Sequence, residues 1–129
     1  MLNQKSFFRV LNFVVFSYLT LCLFQGCKEP EPNQIKYEIT VSKPINLNLS
    51  YENQFGNVNT EVVNADNWSK VIEVVDTKYF QVIADPGFDQ APFTITGRIY
   101  YKGKVVEEVS EQADVNGSSG YLNLQYYLP

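Results

Sequence analysis

From Ile35 onward the apolar residues fall on every second position, and this period constrains the fold more than any other feature of the chain. Ile35, Tyr37, Ile39 and Val41 alternate with Lys36, Glu38 and Thr40, and Ile45, Leu47, Leu49 and Tyr51 alternate with Asn46, Asn48 and Ser50. The same beat returns in Phe80, Val82 and Ala84, in Phe93, Ile95, Gly97, Ile99 and Tyr101, and in Leu122, Leu124, Tyr126 and Leu128. Successive side chains of an extended strand point to opposite faces, so the pattern buries one face and wets the other, as in antiparallel sheets. Residues 58–64 and 69–75 are less regular but rich in valine, and no stretch sustains a helical period.

The breaks between these runs agree. Residues 53–57 (Asn-Gln-Phe-Gly-Asn), Asp85-Pro86-Gly87 and residues 116–120 (Asn-Gly-Ser-Ser-Gly) are turn or loop signals. Lys102-Gly103, between residues 99–101 and 104–106, is a two-residue hairpin turn with glycine at φ > 0. Short strands at this spacing predict an all-β fold, an antiparallel Ig-like β-sandwich of seven to eight strands over residues 35–129.

The N-terminus predicts an address. Lys5 and Arg9 precede a 15-residue apolar run over residues 10–24, the length of a secretory signal and short of the about 20 apolar residues a spanning helix needs. The run ends in Leu23-Phe24-Gln25-Gly26-Cys27, which resembles the lipobox of bacterial lipoproteins. Phe24 and Gln25 depart from its commonest form. The expected processing removes residues 1–26 and acylates Cys27, which has no disulfide partner once Cys22 leaves with the leader. Two hydrocarbon chains suffice for stable anchoring, at about 0.8 kcal/mol per buried methylene. The expected location is the bacterial cell envelope, on the outer membrane, facing the periplasm or the surface.

Residues 27–34 form the lipidated cysteine and an extended spacer, with Pro30 and Pro32 disfavouring helix. Its Lys28-Glu29 tract reads either as a plain polar linker or as a signal for surface export, since it is similar to the charged tract of some Bacteroidetes lipoproteins. Losing Lys5 and Arg9 leaves eight basic against fourteen acidic side chains, a formal charge of −6. Nucleic-acid affinity rests on clustered Lys and Arg, so that class of partner is excluded.

Tyr37-Glu38-Ile39-Thr40, residues 49–53 with Gly56, Trp68-Ser69-Lys70, residues 80–84, residues 95–99 and residues 103–108 together resemble, in order and spacing, the MmpS-like domain. This is a small envelope β-sandwich, and the resemblance spans residues 35–110. Mycobacterial members are single-pass periplasmic accessories to RND-type exporters of lipids and siderophores. The resemblance implies a non-enzymatic domain that docks on a membrane or envelope protein. The lipid anchor and the aromatic tail over residues 121–128 depart from that family's pattern.

Candidate chemistry is sparse. The chain has no histidine, which removes the commonest general base and metal ligand. Ser69 and Lys70 are neighbours that a strand points to opposite faces, and so are Glu107 and Glu108, so neither pair suits catalysis. Asp85 and Asp89, with Asp114 or Asn116, are hard-oxygen candidates for Ca²⁺, although their spacing lacks the EF-hand pattern and Asp-Pro-Gly is an ordinary turn. No catalytic residue and no cofactor are therefore expected. Tyr100-Tyr101 and Tyr126-Tyr127 each place one ring outside the core, which makes Tyr100, Tyr126 and Tyr127 candidates for binding a protein partner or, alternatively, a glycan or host ligand. The competing reading is cross-strand aromatic pairing that stabilises the sheet. Trp68 is expected in the core.

Overall fold

The computed structural model describes residues 33–87, 90–116 and 119–129. The predicted leader, Cys27 and Asp89 lie outside the described residues. The described residues form six strands: β1 (Gln34–Glu52), β2 (Val58–Glu73), β3 (Tyr79–Asp85), β4 (Phe93–Tyr101), β5 (Lys104–Ala113) and β6 (Leu122–Tyr127). Every pairing is antiparallel. The strand order is β5-β4-β1-β3-β6, with β2 also on β1. Because β6 packs against β4 and β5, this single sheet nearly closes on itself.

The all-β, antiparallel expectation holds, but the described residues form six strands rather than seven to eight, joined in one sheet. Two pairs of expected strands are continuous. Residues 35–41 and 45–51 are both β1, and residues 58–64 and 69–75 both lie largely in β2. The reason lies at Ser42-Lys43-Pro44. These three exposed residues form a bulge, where the β1–β2 register shifts between Thr40 and Ile45. Proline cannot donate to a ladder, but at a bulge no ladder bond is required of it. The strand bends there without ending.

The bend is large. On a straight strand Tyr37 and Tyr51 would lie roughly 45 Å apart, yet their ring centroids are 6.0 Å apart. The two halves of β1 therefore face each other across the core. The first half pairs with β4 through Ile35 to Val41, and the second pairs with β3 through Asn48 to Tyr51. Ile35, Tyr37, Ile39, Val41, Ile45, Leu47, Leu49 and Tyr51 all point inward and are buried. Skipping three residues between Val41 and Ile45 keeps the inward parity on both sides of the bulge.

Phe80, Val82, Ile95, Ile99, Leu122 and Leu124 join them in the core. The Tyr37 side chain is fully buried, and its hydroxyl donates to the Glu52 carbonyl at 3.1 Å. Burial, followed by the Glu52 charge, pushes that phenol far above its ordinary value. In the β4–β5 turn both Lys102 (φ 49°) and Gly103 (φ 73°) adopt the left-handed conformation of a type I′ hairpin.

Gly97 marks the closest approach across the interior. A Cβ there would sit 2.6 Å from Leu124 Cδ1 and 3.2 Å from Leu122 Cδ1, so any larger residue would require these leucine side chains to shift. Gly97→Val should destabilise the domain by roughly 1–3 kcal/mol through overpacking. Urea unfolding measures this, and an unchanged midpoint would contradict the close packing of β6 on β4.

Candidate functional site

β2 stands out because it is sixteen residues long and, among the described residues, pairs with β1 alone. In an antiparallel ladder alternate residues direct their N–H and C=O groups to opposite sides, so about half of those along β2 face outward. Natural edge strands are commonly short, or carry proline or several lysines that discourage pairing with another chain. β2 has no proline and one lysine, Lys70. On its outer face Val58, Val62 and Val71 are 61%, 77% and 53% exposed. By contrast, β5 carries Lys104, Glu107, Glu108 and Glu111 in ten residues and lies against β6.

The inward face of β2 explains how the edge keeps its shape. Glu61, Val63 and Ala65 turn inward on odd numbers, and Trp68, Lys70 and Ile72 on even ones, so the phase breaks at Asp66-Asn67. Glu61 and Lys70 would be roughly 30 Å apart on a straight strand, but Lys70 Nζ lies 2.9 Å from Glu61 Oε1. β2 folds back with β1, and a polar clip spans the fold. The Tyr51 hydroxyl donates to Glu61 Oε1 at 2.6 Å, and Trp68 Nε1 donates to Oε2 at 3.2 Å. Tyr51 packs on Trp68 at 5.5 Å between centroids, and Lys70 Nζ lies 5.5 Å from the Tyr51 ring centre. The Tyr51 hydrogen bond first, then those from Lys70 and Trp68, lower the Glu61 carboxyl to about 2. The same contact with Glu61 raises Lys70.

A second polar cluster lies on the outer face of β1, β4 and β5, where Glu38, Arg98 and Glu108 stand side by side. Glu38 receives Lys36 Nζ at 2.7 Å and Arg98 Nη1 at 3.3 Å, and Arg98 also pairs with Glu108. The Lys36 hydrogen bond chiefly holds the Glu38 carboxyl below its ordinary value. Its groups are satisfied within the sheet.

The three tyrosines singled out in the sequence serve three different places. Tyr100 is half-buried in this outer cluster, donating to Glu38 Oε1 at 2.9 Å with Lys36 Nζ 5.0 Å from its ring centre. Tyr126 is half-buried against Tyr101, at 6.1 Å between centroids. Tyr127 is 68% exposed and stacks on Tyr79, its directly opposed neighbour, at 4.8 Å. Asp85 ends β3, and its Oδ1 accepts from the Gly87 N–H at 2.9 Å, the local turn bond expected of Asp-Pro-Gly. Among the described residues no three His, Cys, Asp or Glu gather as metal ligands. Trp68 is buried, as its sequence context suggests.

Sequence alone singles out neither Glu61 nor its pairing with Lys70, which the chain places only beside Ser69, and it shows the valines of β2 without their outward exposure. One signal was available: Glu61 and Lys70 interrupt an apolar face at positions that only a bent strand brings together. Among known proteins, no family model matches the chain and no curated protein matches it in sequence.

Glu61 has a lowered folded pKa, so its stabilisation is present in full above its ordinary value of 4.5 and disappears as pH falls toward 2. Glu61→Gln should cost about 1–2 kcal/mol at neutral pH, since the clip is only partly shielded from water. The difference between the two proteins should shrink steadily between pH 4.5 and 2. Denaturant midpoints across that range check this, and a pH-independent difference would contradict the clip.

Proposed function

We propose that this chain is a lipid-anchored, non-enzymatic docking domain of the bacterial envelope, MmpS-like in kind, which engages a protein partner by strand addition along β2. The observation that carries this reading is the sixteen-residue edge of β2, open among the described residues and flanked by exposed Val58, Val62 and Val71. Main-chain hydrogen bonds along such an edge supply affinity, and side chains on alternate positions supply selectivity. The lipobox-like sequence at Cys27 supports a membrane tether, and the eight-residue stretch over residues 27–34 gives the domain reach. On this reading the domain sits on the outer membrane, in the periplasm or at the surface.

A second reading rests on Tyr127. Its exposed ring, stacked on Tyr79, offers a flat aromatic platform of the kind that receives a sugar face. A glycan array with the wild type and Tyr127→Ala distinguishes the readings: binding lost in the variant favours the platform, and silence favours docking at β2.

Two outcomes are expected of the leading reading. Cys27→Ala should move the protein from the membrane to the soluble fraction of lysed cells. A photo-crosslinking residue replacing Val62 should capture a defined envelope protein in intact cells, while one replacing Thr94 should not. Membrane retention of the Cys27→Ala protein, or no adduct at position 62, would overturn the corresponding part of the proposal.

A further inference from the structure

The edge of β2 is complementary to itself, and we infer that its partner is β2 of a second copy of this chain, paired antiparallel about a two-fold axis through Ala65-Asp66. This rests on the docking reading above and names the partner at the same edge.

The register follows from two features. Inward positions change from odd to even at the Asp66-Asn67 break. A two-fold pairing that keeps both cores on one side must therefore match an odd-numbered residue before the break with an even-numbered one after it. Among such registers, placing Glu61 opposite the partner copy's Lys70 joins opposite charges twice, once on each side of the axis.

Within one chain Glu61 and Lys70 already meet at 2.9 Å across the fold. In the pair, each would also have the opposite charge of the other copy beside it. Four charges would then alternate in a ring around the axis. No charge on the inward face of either β2 is left beside its like, which an arbitrary partner strand would not guarantee.

The remaining juxtapositions fit the same register. Thr60 falls opposite Val71, Val62 opposite Ser69 and Asn64 opposite Asn67, all on the outer face. On the inner face Val63 falls opposite Trp68, an aromatic and β-branched pair of the kind that stabilises sheets. The bend is compatible as well. Each β2 folds inward at Asp66-Asn67, and rotation about an axis one residue before that break lays one trough nearly end to end with the other. Two juxtapositions oppose pairing at the axis: Ala65, which turns inward, falls opposite the partner copy's Asp66, which turns outward, and Asp66 and its copy become diagonal neighbours. Asp66 is exposed, so salt screens their repulsion, and Asp66→Asn should strengthen the association.

The test uses two differently tagged full-length chains, co-expressed and oxidised in the envelope. Thr60→Cys in one and Val71→Cys in the other should give a disulfide-linked heterodimer, because directly opposed side chains lie about 4.5–5.5 Å apart at Cβ. The wild type and Thr60→Cys paired with itself should give at least ten-fold less. Val62→Lys with Ser69→Lys sets like charges opposite each other and should abolish the crosslink, whereas Val62→Lys with Ser69→Glu should preserve it. The substitutions at these four outer-face positions leave the core untouched, and circular dichroism verifies the fold.

A Thr60→Cys self-crosslink that exceeds the heterodimer overturns the register, and with it the proposal. If no copies crosslink but the photo-crosslinker at position 62 captures a different protein, the second copy is overturned and docking at β2 stands. If neither occurs, both fall.

Discussion

The whole domain depends on one long hairpin being folded in half. β1 and β2 run together for most of their length, and the bulge at Ser42-Lys43-Pro44 together with the phase break at Asp66-Asn67 turns them back on themselves. The apolar faces of the two halves then become the opposite walls of one core, with Tyr37 against Tyr51 at its centre. β4 and β5 extend one wall, β3 and β6 the other, and the small volume of Gly97 lets β6 close over β4. Apolar burial at about 25 cal/mol per Å² is the driving term for such closure. It acts only because the bend brings the two faces together.

Along β2 that closure is left incomplete. The Glu61 carboxylate gathers the Tyr51, Trp68 and Lys70 donors across the gap, substituting polar contacts for the apolar cover that another strand would give. Charged pairs in partial contact with water are individually weak. A carboxylate with three donors around it holds the fold by geometry as much as by energy. The result is a bent edge that pairs only with β1 among the described residues and so leaves outward groups for strand addition.

Much of this architecture was legible in the chain. The alternation from Ile35 to Tyr51 gives the buried face residue by residue, and Lys102-Gly103 gives its hairpin turn. The strand count was misjudged because Ser42-Lys43-Pro44 has the composition of a turn, and composition does not distinguish a turn that reverses a strand from a bulge that bends it. The pairing of Glu61 with Lys70 is illegible for a related reason. Nine positions apart, they become neighbours only through a bend encoded elsewhere. Tyr100 and Tyr126 show the converse: adjacency in sequence implies one outward ring per pair, but which ring turns out, Tyr100 in one pair and Tyr127 rather than Tyr126 in the other, and its engagement depend on register.

Residue-resolved hydrogen exchange along β2 in the full chain tests the account most directly. At low protein concentration, alternate amides should be protected by β1 while those between them exchange freely, and the unprotected set should become protected as concentration rises. Protection of every β2 amide at all concentrations would mean the edge is already covered, and protection of none would mean that β2 does not pair with β1. Either result would contradict an open-edged, folded hairpin.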